Sequence, residues 1–131
     1  MRFEIKDIDI CSDNQRKTKP KHLNFPIDSS KYQKSKKAII NTILAQKETG
    51  MQPFGRFNAV MILRTRKDPT NLLKILLDSL KIAGIIQNDK KWDILSLHHV
   101  GNGDDLVVIE IKPASGILFD GEMQPYLEAH H

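Results

Sequence analysis

Six polar residues within the run Arg64 to Trp92 could do chemistry: Asp68, Thr70, Asn71, Lys74, Asp78 and Asp89. Thr70, Asn71 and Lys74 fall within one helical turn of one another and next to Asp68. A carboxylate, a hydroxyl, an amide and an ammonium therefore share one small surface. Two readings are open at this level: a capped, solvated helix face, or a site for a charged ligand. Arg64, Arg66 and Lys67 stand just before Asp68. Guanidinium groups placed there suit a phosphate partner.

The elements that must position these residues follow from patterning. The apolar run FNAVMIL, Phe57 to Leu63, reads as a buried strand. Asp68-Pro69 signals a helix start, because Asp can cap free N–H groups and Pro loses nothing at the first helical position. Leu72, Leu73, Leu76, Leu77, Leu80 and Ala83 then recur at helical spacing, and Gly84 stops the helix. Thr70, Asn71, Lys74, Asp78 and Lys81 take the opposite face. Asp93 to Val100 reads as a strand, Gly101 to Asp105 as a hairpin turn with an Asn-Gly signal, and Leu106 to Lys112 as the returning partner. His98 and His99 point to opposite faces of such a strand and cannot share one ion.

Upstream, Phe3, Ile5, Ile8 and Ile10 alternate through a first strand whose pattern breaks at Asp7-Ile8. Residues 11–29 read as a loop, because Pro20 and Pro26 work against regular structure. Arg16, Lys17, Lys19 and Lys21 crowd into it. Only Phe25 and Tyr32 lie near enough to stack on bases, which favours backbone contacts over base reading. A first helix spans about Ser30 to Thr49, with Ser30 and Gln33 as a capping box and Gly50 as the stop. Tyr32, Ile39, Ile40, Ile43 and Leu44 form its apolar stripe. Lys31, Lys34, Lys36 and Lys37 make its first turns positive.

The run D-P-T-N-L-L-K, followed by D-S-L, then G, then D, resembles the RusA family of Holliday-junction resolvases. That family's pattern is D-x-D-N-L-x-K, then D-A-L, then G, then an Asp-rich step. Asp68, Asn71, Leu72, Lys74, Asp78, Leu80, Gly84 and Asp89 match in register without a gap. Ser12-Asp13-Asn14 is similar to the family's S-x-N step, and the order of elements fits from residue 1 to about residue 113. The resemblance implies an α+β fold in which a small mixed or antiparallel sheet of about four strands packs with two helices. It also implies a homodimer that hydrolyses phosphodiesters at Holliday junctions in recombination and repair.

The same resemblance carries over a site. Asp68 and Asp89 would be two of three aspartates holding Mg²⁺ or Mn²⁺, and Lys74 would stabilise charge developing at phosphorus. Asn71 would orient a carboxylate or bind backbone. Asp78 would be a third acid or a salt-bridge partner of Lys74 or Lys81. Thr70 stands where the family has its second aspartate, and offers a hydroxyl without charge. The alternative is therefore a weakened or inactive member that binds branched DNA without cutting it. DNA contacts are expected from Arg16, Lys17, Lys19, Lys21, Lys34, Lys37, Arg64, Arg66 and Lys67. The helix between Asp68 and Asp89, about 15 residues at ~1.5 Å each, is about 22 Å long. To meet, the two acids need either a doubling back over Ile85 to Asn88 or a symmetric dimer. Ile75 and Ile82, a heptad apart, are the expected dimer contact.

Composition sets the remaining bounds. The 131 residues are 40% hydrophobic and 27% charged, as in a soluble globular domain. Residues 1–91 carry 19 of the 20 Lys and Arg against 9 of the 16 acids, whereas residues 92–131 carry Lys112 against seven acids. Positive charge gathered in one part suggests a polyanion partner. Cys11 is the single cysteine, with no His or acid beside it to make a nucleophile. MRFEIKD lacks secretory-signal features and no apolar run approaches a membrane span, so a cytoplasmic location is expected. Residues 114–131 form an acidic C-terminal extension whose Ile117, Leu118, Phe119, Tyr126 and Leu127 could pack on the core or on a partner.

Overall fold

The computed structural model describes residues 1–114; the extension beyond Ala114, with its expected packing, lies outside them. Phe57–Arg64 forms strand β4, and Phe57 to Leu63 are all buried. A strand with no solvent-facing side must have neighbours on both edges and cover on both faces. β4 accordingly lies inside a mixed four-stranded sheet of order β1-β6-β4-β5. Its neighbours are β5, Trp92–Gly101, parallel to it, and β6, Leu106–Pro113, antiparallel to it. β1, Arg2–Lys6, closes the far edge antiparallel to β6. The expected α+β class, strand number and helix number are all found.

The expected hairpin between residues 93 and 112 is not. β5 and β6 flank β4 rather than pairing with each other, so residues 102–105 arch over the end of β4. The arch is bonded from below. The Thr65 N–H donates to the Gly101 carbonyl at 3.0 Å, the Thr65 hydroxyl to Asp105 Oδ1 at 2.6 Å, and Arg64 Nε to the Asp104 carbonyl at 3.1 Å. A hairpin would have left the wholly apolar β4 at a sheet edge.

Two helices cover one face. α1 is Ser30–Gln46 and α2 is Leu73–Ile82, preceded by a short 3₁₀ turn, Pro69–Leu72. They pack over Phe3, Ile5, Ala59, Met61, Val107 and Ile109 as one core. The cap of α1 is Ser29, one residue before the expected Ser30, and its Oγ accepts the Tyr32 N–H at 3.1 Å. Gln33 donates to the Asp28 carbonyl instead of closing a capping box. α1 also stops at Gln46, short of Thr49, because Gln46 and Lys47 have other partners. The Gln46 amide accepts the Glu4 N–H at 2.9 Å and donates to the Glu4 carbonyl at 2.7 Å, covering the open edge of β1. Lys47 Nζ donates to the Ala83 carbonyl at the end of α2. Gly84 follows with φ +77°, the left-handed backbone a helix stop needs.

Strand β1 ends at Lys6, four residues before the limit suggested by alternation, where Asp7 takes φ +62°. Residues 11–29 are more ordered than a loop. A 3₁₀ turn, Asp13–Gln15, leads into a two-strand ribbon of β2, Lys17–Thr18, and β3, Ile27–Asp28. The prolines fall between its strands, where no ladder donor is needed.

The expected dimer contact is corrected in part. Ile75 is wholly buried within the chain, while Ile82 is 58% exposed. Ile75 lies in the first turn of α2 and Ile82 is its last residue. Leu44, expected in the α1 stripe, is exposed as well. Ile75→Ala should therefore cost about 2–5 kcal/mol and Ile82→Ala no more than about 0.5 kcal/mol. Urea unfolding of both variants measures this, and equal costs would refute the assignment.

Candidate functional site

The Lys74 ammonium is the point on which the central polar residues converge. Lys74 lies in the first turn of α2, and one turn on Asp78 Oδ1 stands 3.1 Å from its Nζ. Asp89 Oδ2 stands 3.6 Å away on the other side. After Gly84 the chain returns beside α2. Ile85 bonds Leu80 and Phe54, and Gln87 bonds Phe54, which holds the returning segment in place. The doubling back over residues 85–88 thus brings Asp89 to Lys74 within one chain. The salt bridge expected between Lys74 and Asp78 is present. Hydrogen bonding to Asp78, with Asp89 adding its field, raises the Lys74 pKa and keeps the side chain charged.

Two residues outside the central run join this cluster. The Tyr32 hydroxyl, from α1, donates to Asp78 Oδ2 at 2.9 Å. Burial first, and then the Asp78 carboxylate, push the phenol well above its ordinary pKa. Asp13, from the 3₁₀ turn after β1, stands near enough to the start of α2 for the Lys74 backbone N–H to act on its carboxyl. Its Oδ1 is buried without a hydrogen bond. Burial raises its pKa, Arg16 and Lys74 oppose the rise, and Asp78 adds to it. The sequence offered one signal for Asp13, the Ser12-Asp13-Asn14 step, and none for Tyr32.

Asp68 is engaged differently. Its Oδ1 accepts the Thr70 N–H at 3.0 Å and the Thr70 hydroxyl at 2.8 Å, an Asx-type cap on the 3₁₀ turn. The Thr70 hydroxyl, then its N–H, hold the exposed Asp68 carboxyl below its usual pKa, and the His99 ring acts in the same direction. His99 itself bonds the Thr65 carbonyl at 2.9 Å. Asn71 is half-buried on the same turn.

A divalent cation tests this arrangement. Mg²⁺ demands near-octahedral oxygen coordination, and its protein anchors are carboxylates. Asp89 is held by an ammonium, Asp68 by Thr70, and the third position offers only a hydroxyl whose hydrogen points at Asp68. Among the described residues no three or more His, Cys, Asp or Glu side chains stand together in a way that could hold a metal ion. Asp68, Thr70 and Asp89 therefore do not assemble a cation site by themselves.

The basic residues divide into two sets. Lys67 Nζ is bound by Asp9 Oδ1 at 2.6 Å, Asp105 Oδ2 at 3.0 Å and the Ile10 carbonyl. Burial pulls its pKa down, but the bonds to Asp9 and Asp105 outweigh this and the net direction is up. Lys67, just past β4, ties the segment that follows β1 to the arch, so it is removed from the expected phosphate contacts. Arg64 and Arg66 remain exposed beside Asp68.

The second set lies on the ribbon and α1. The Ser29 N–H donates to the Arg16 carbonyl at 2.7 Å, its hydroxyl donates to the Gln15 carbonyl at 2.9 Å, and Lys31 Nζ donates to Gln15 Oε1 at 3.0 Å. Arg16 and Lys36 both stand over the Tyr32 ring, at 6.0 and 5.2 Å from its centre. The ribbon bearing Lys17, Lys19 and Lys21 is thereby fastened to the helix start bearing Lys31, Lys34 and Lys37, all of them exposed. No helix among the described residues is long and apolar enough to cross a membrane.

Compared with protein-family profiles and with curated proteins, the chain matches none.

The half-buried Asp13 gives a pH test of the cluster. A carboxyl whose pKa is raised by folding favours the folded state most below its unfolded value, and that contribution is lost as pH rises through the folded value. Asp13→Asn removes this titration while keeping the size of the side chain. Its stability relative to wild type should therefore rise as pH climbs from the ordinary Asp value, about 4, towards neutrality. Paired urea titrations measure it, and a relative stability that falls over that range would contradict the placement of Asp13.

Proposed function

We propose that this chain is a RusA-like protein that binds four-way junctions and other branched DNA, in recombination and repair. The observation that carries the reading is the fastening of the basic ribbon to the basic start of α1. Arg16, Lys17, Lys19, Lys21, Lys34 and Lys37 then present one positive surface, beside the turn that matches the family's pattern. Each ammonium that meets a phosphate releases condensed counterions, which gives affinity without base recognition. A four-way junction has two-fold-related strands, so a symmetric pair of subunits suits it. The homodimer belongs to this proposal.

A second reading, metal-dependent junction endonuclease, is favoured by one contact: Lys74 beside Asp89, at the spacing the resemblance implies. An ammonium there would offset charge on a phosphate that entered the site. What weighs against cutting is the donor set, in which Thr70 brings no charge and Asp89 is already paired with Lys74. Hydrolytic activity therefore ranks behind binding.

Binding and nicking of a synthetic four-way junction, with Mg²⁺ or Mn²⁺ titrated in, separate the two. The binding reading expects tight binding without nicks, and Lys19→Ala and Lys21→Ala each lowering the salt slope by about 1. Thr70→Asp restores the missing carboxylate and should be the variant in which nicking first appears. Wild-type nicking that Asp68→Asn abolishes would establish the endonuclease instead. No measurable affinity for any branched DNA would end both readings.

A further inference from the structure

Phe25 is the most exposed large hydrophobic side chain among the described residues, at 59%. It projects from residues 19–26, the loop joining β2 to β3. The loop is fixed at its base. Lys17 pairs with Asp28 across the ribbon at 2.7 Å, and the Leu23 N–H donates to the Pro20 carbonyl at 3.1 Å. Pro26 follows Phe25 directly and restricts its backbone to extended conformations. A ring held out this way loses little conformational freedom when it meets a partner.

The surroundings select the partner. From Arg16 to Ile27 there is no acidic residue, while Arg16, Lys17, Lys19 and Lys21 all lie in that span. Lys19 and Lys21 are exposed. Protein interface cores are depleted in lysine, whereas an apolar side chain among cations is how proteins wedge into stacked bases beside a phosphate backbone. Tyr32, the other nearby aromatic, is buried against Asp78 and cannot share the role.

We infer that Phe25 is a wedge that stacks on an exposed base at the branch point of a DNA junction, while Lys19 and Lys21 hold the flanking phosphates. The inference rests on the branched-DNA reading above and names the feature of the DNA that the surface would select. Continuous duplex offers no open base face, so the wedge would contribute to branched substrates and not to plain duplex.

The test compares wild type, Phe25→Ala and Phe25→Trp on a four-way junction and on duplex of the same sequence. A 2-aminopurine placed at the branch point reports stacking. Stacking of one base on an aromatic ring implies that Phe25→Ala weakens junction binding roughly 5- to 100-fold. Duplex affinity and the salt slope should stay unchanged, the 2-aminopurine response should be lost, and Phe25→Trp should restore both the response and the affinity. Retained duplex binding shows that the variant is folded. Equal losses on junction and duplex, or unchanged junction binding, overturn the wedge and leave the binding reading intact. A shift of Phe25→Ala towards monomer in sedimentation assigns the ring to contact between copies and also overturns it. Wild type that binds no branched DNA removes the proposed function and the wedge together.

Discussion

The packing of β4 is the constraint from which the rest of the structure follows. Seven consecutive buried residues cannot lie at an edge or face water. They draw β5 to one side in parallel and β6 to the other in antiparallel orientation, and a parallel neighbour requires a crossover long enough to hold a helix. That crossover is α2, so the polar turn at Asp68 must sit at the end of β4 and the polar connection holding Asp89 must return beside the helix. The Thr65, Arg64 and Lys67 bonds to the arch secure the same end of the strand.

Charge compensation governs the polar surface that this scaffold displays. Lys74 faces Asp78 and Asp89, Lys67 faces Asp9 and Asp105, and Asp68 takes both donors of Thr70. Oppositely charged partners that close lower the cost of partial burial, and each also reduces what is left over for a ligand. The ribbon and the start of α1 differ. Apart from Asp28, held by Lys17, the span from Arg16 to Lys37 has no acid. That span therefore carries a net positive charge, whereas the cluster around Lys74 holds more acids than bases; the proposed binding role rests on the former.

Much of the fold was legible in the sequence, because it is written in local rules. The all-apolar run of β4, the Asp-Pro start and the Gly84 stop of the second helix each depend on nearest neighbours. The Lys74–Asp78 pair is a helical i,i+4 contact and could be read the same way. Errors came where a local signal competed with a distant partner. Asn-Gly between two strands reads as a hairpin, yet β4 intervenes, since burying a wholly apolar strand outweighs a turn preference. Gln46, the last residue of α1, bonds the edge of β1, 42 residues away.

By itself, the sequence determined the α+β class, the central strand, the polar face of the second helix and the concentration of basic residues before residue 91. Periodicity, capping and charge count are properties of neighbouring residues and need no third dimension. Only the tertiary structure decided that Asp89 returns to Lys74, that Tyr32 and Asp13 enter the same cluster, that Lys67 is spent inside the molecule and that Phe25 is left exposed. Those outcomes depend on which groups meet across the chain and how much water each keeps, and side-chain partners tens of residues apart leave no period in the sequence.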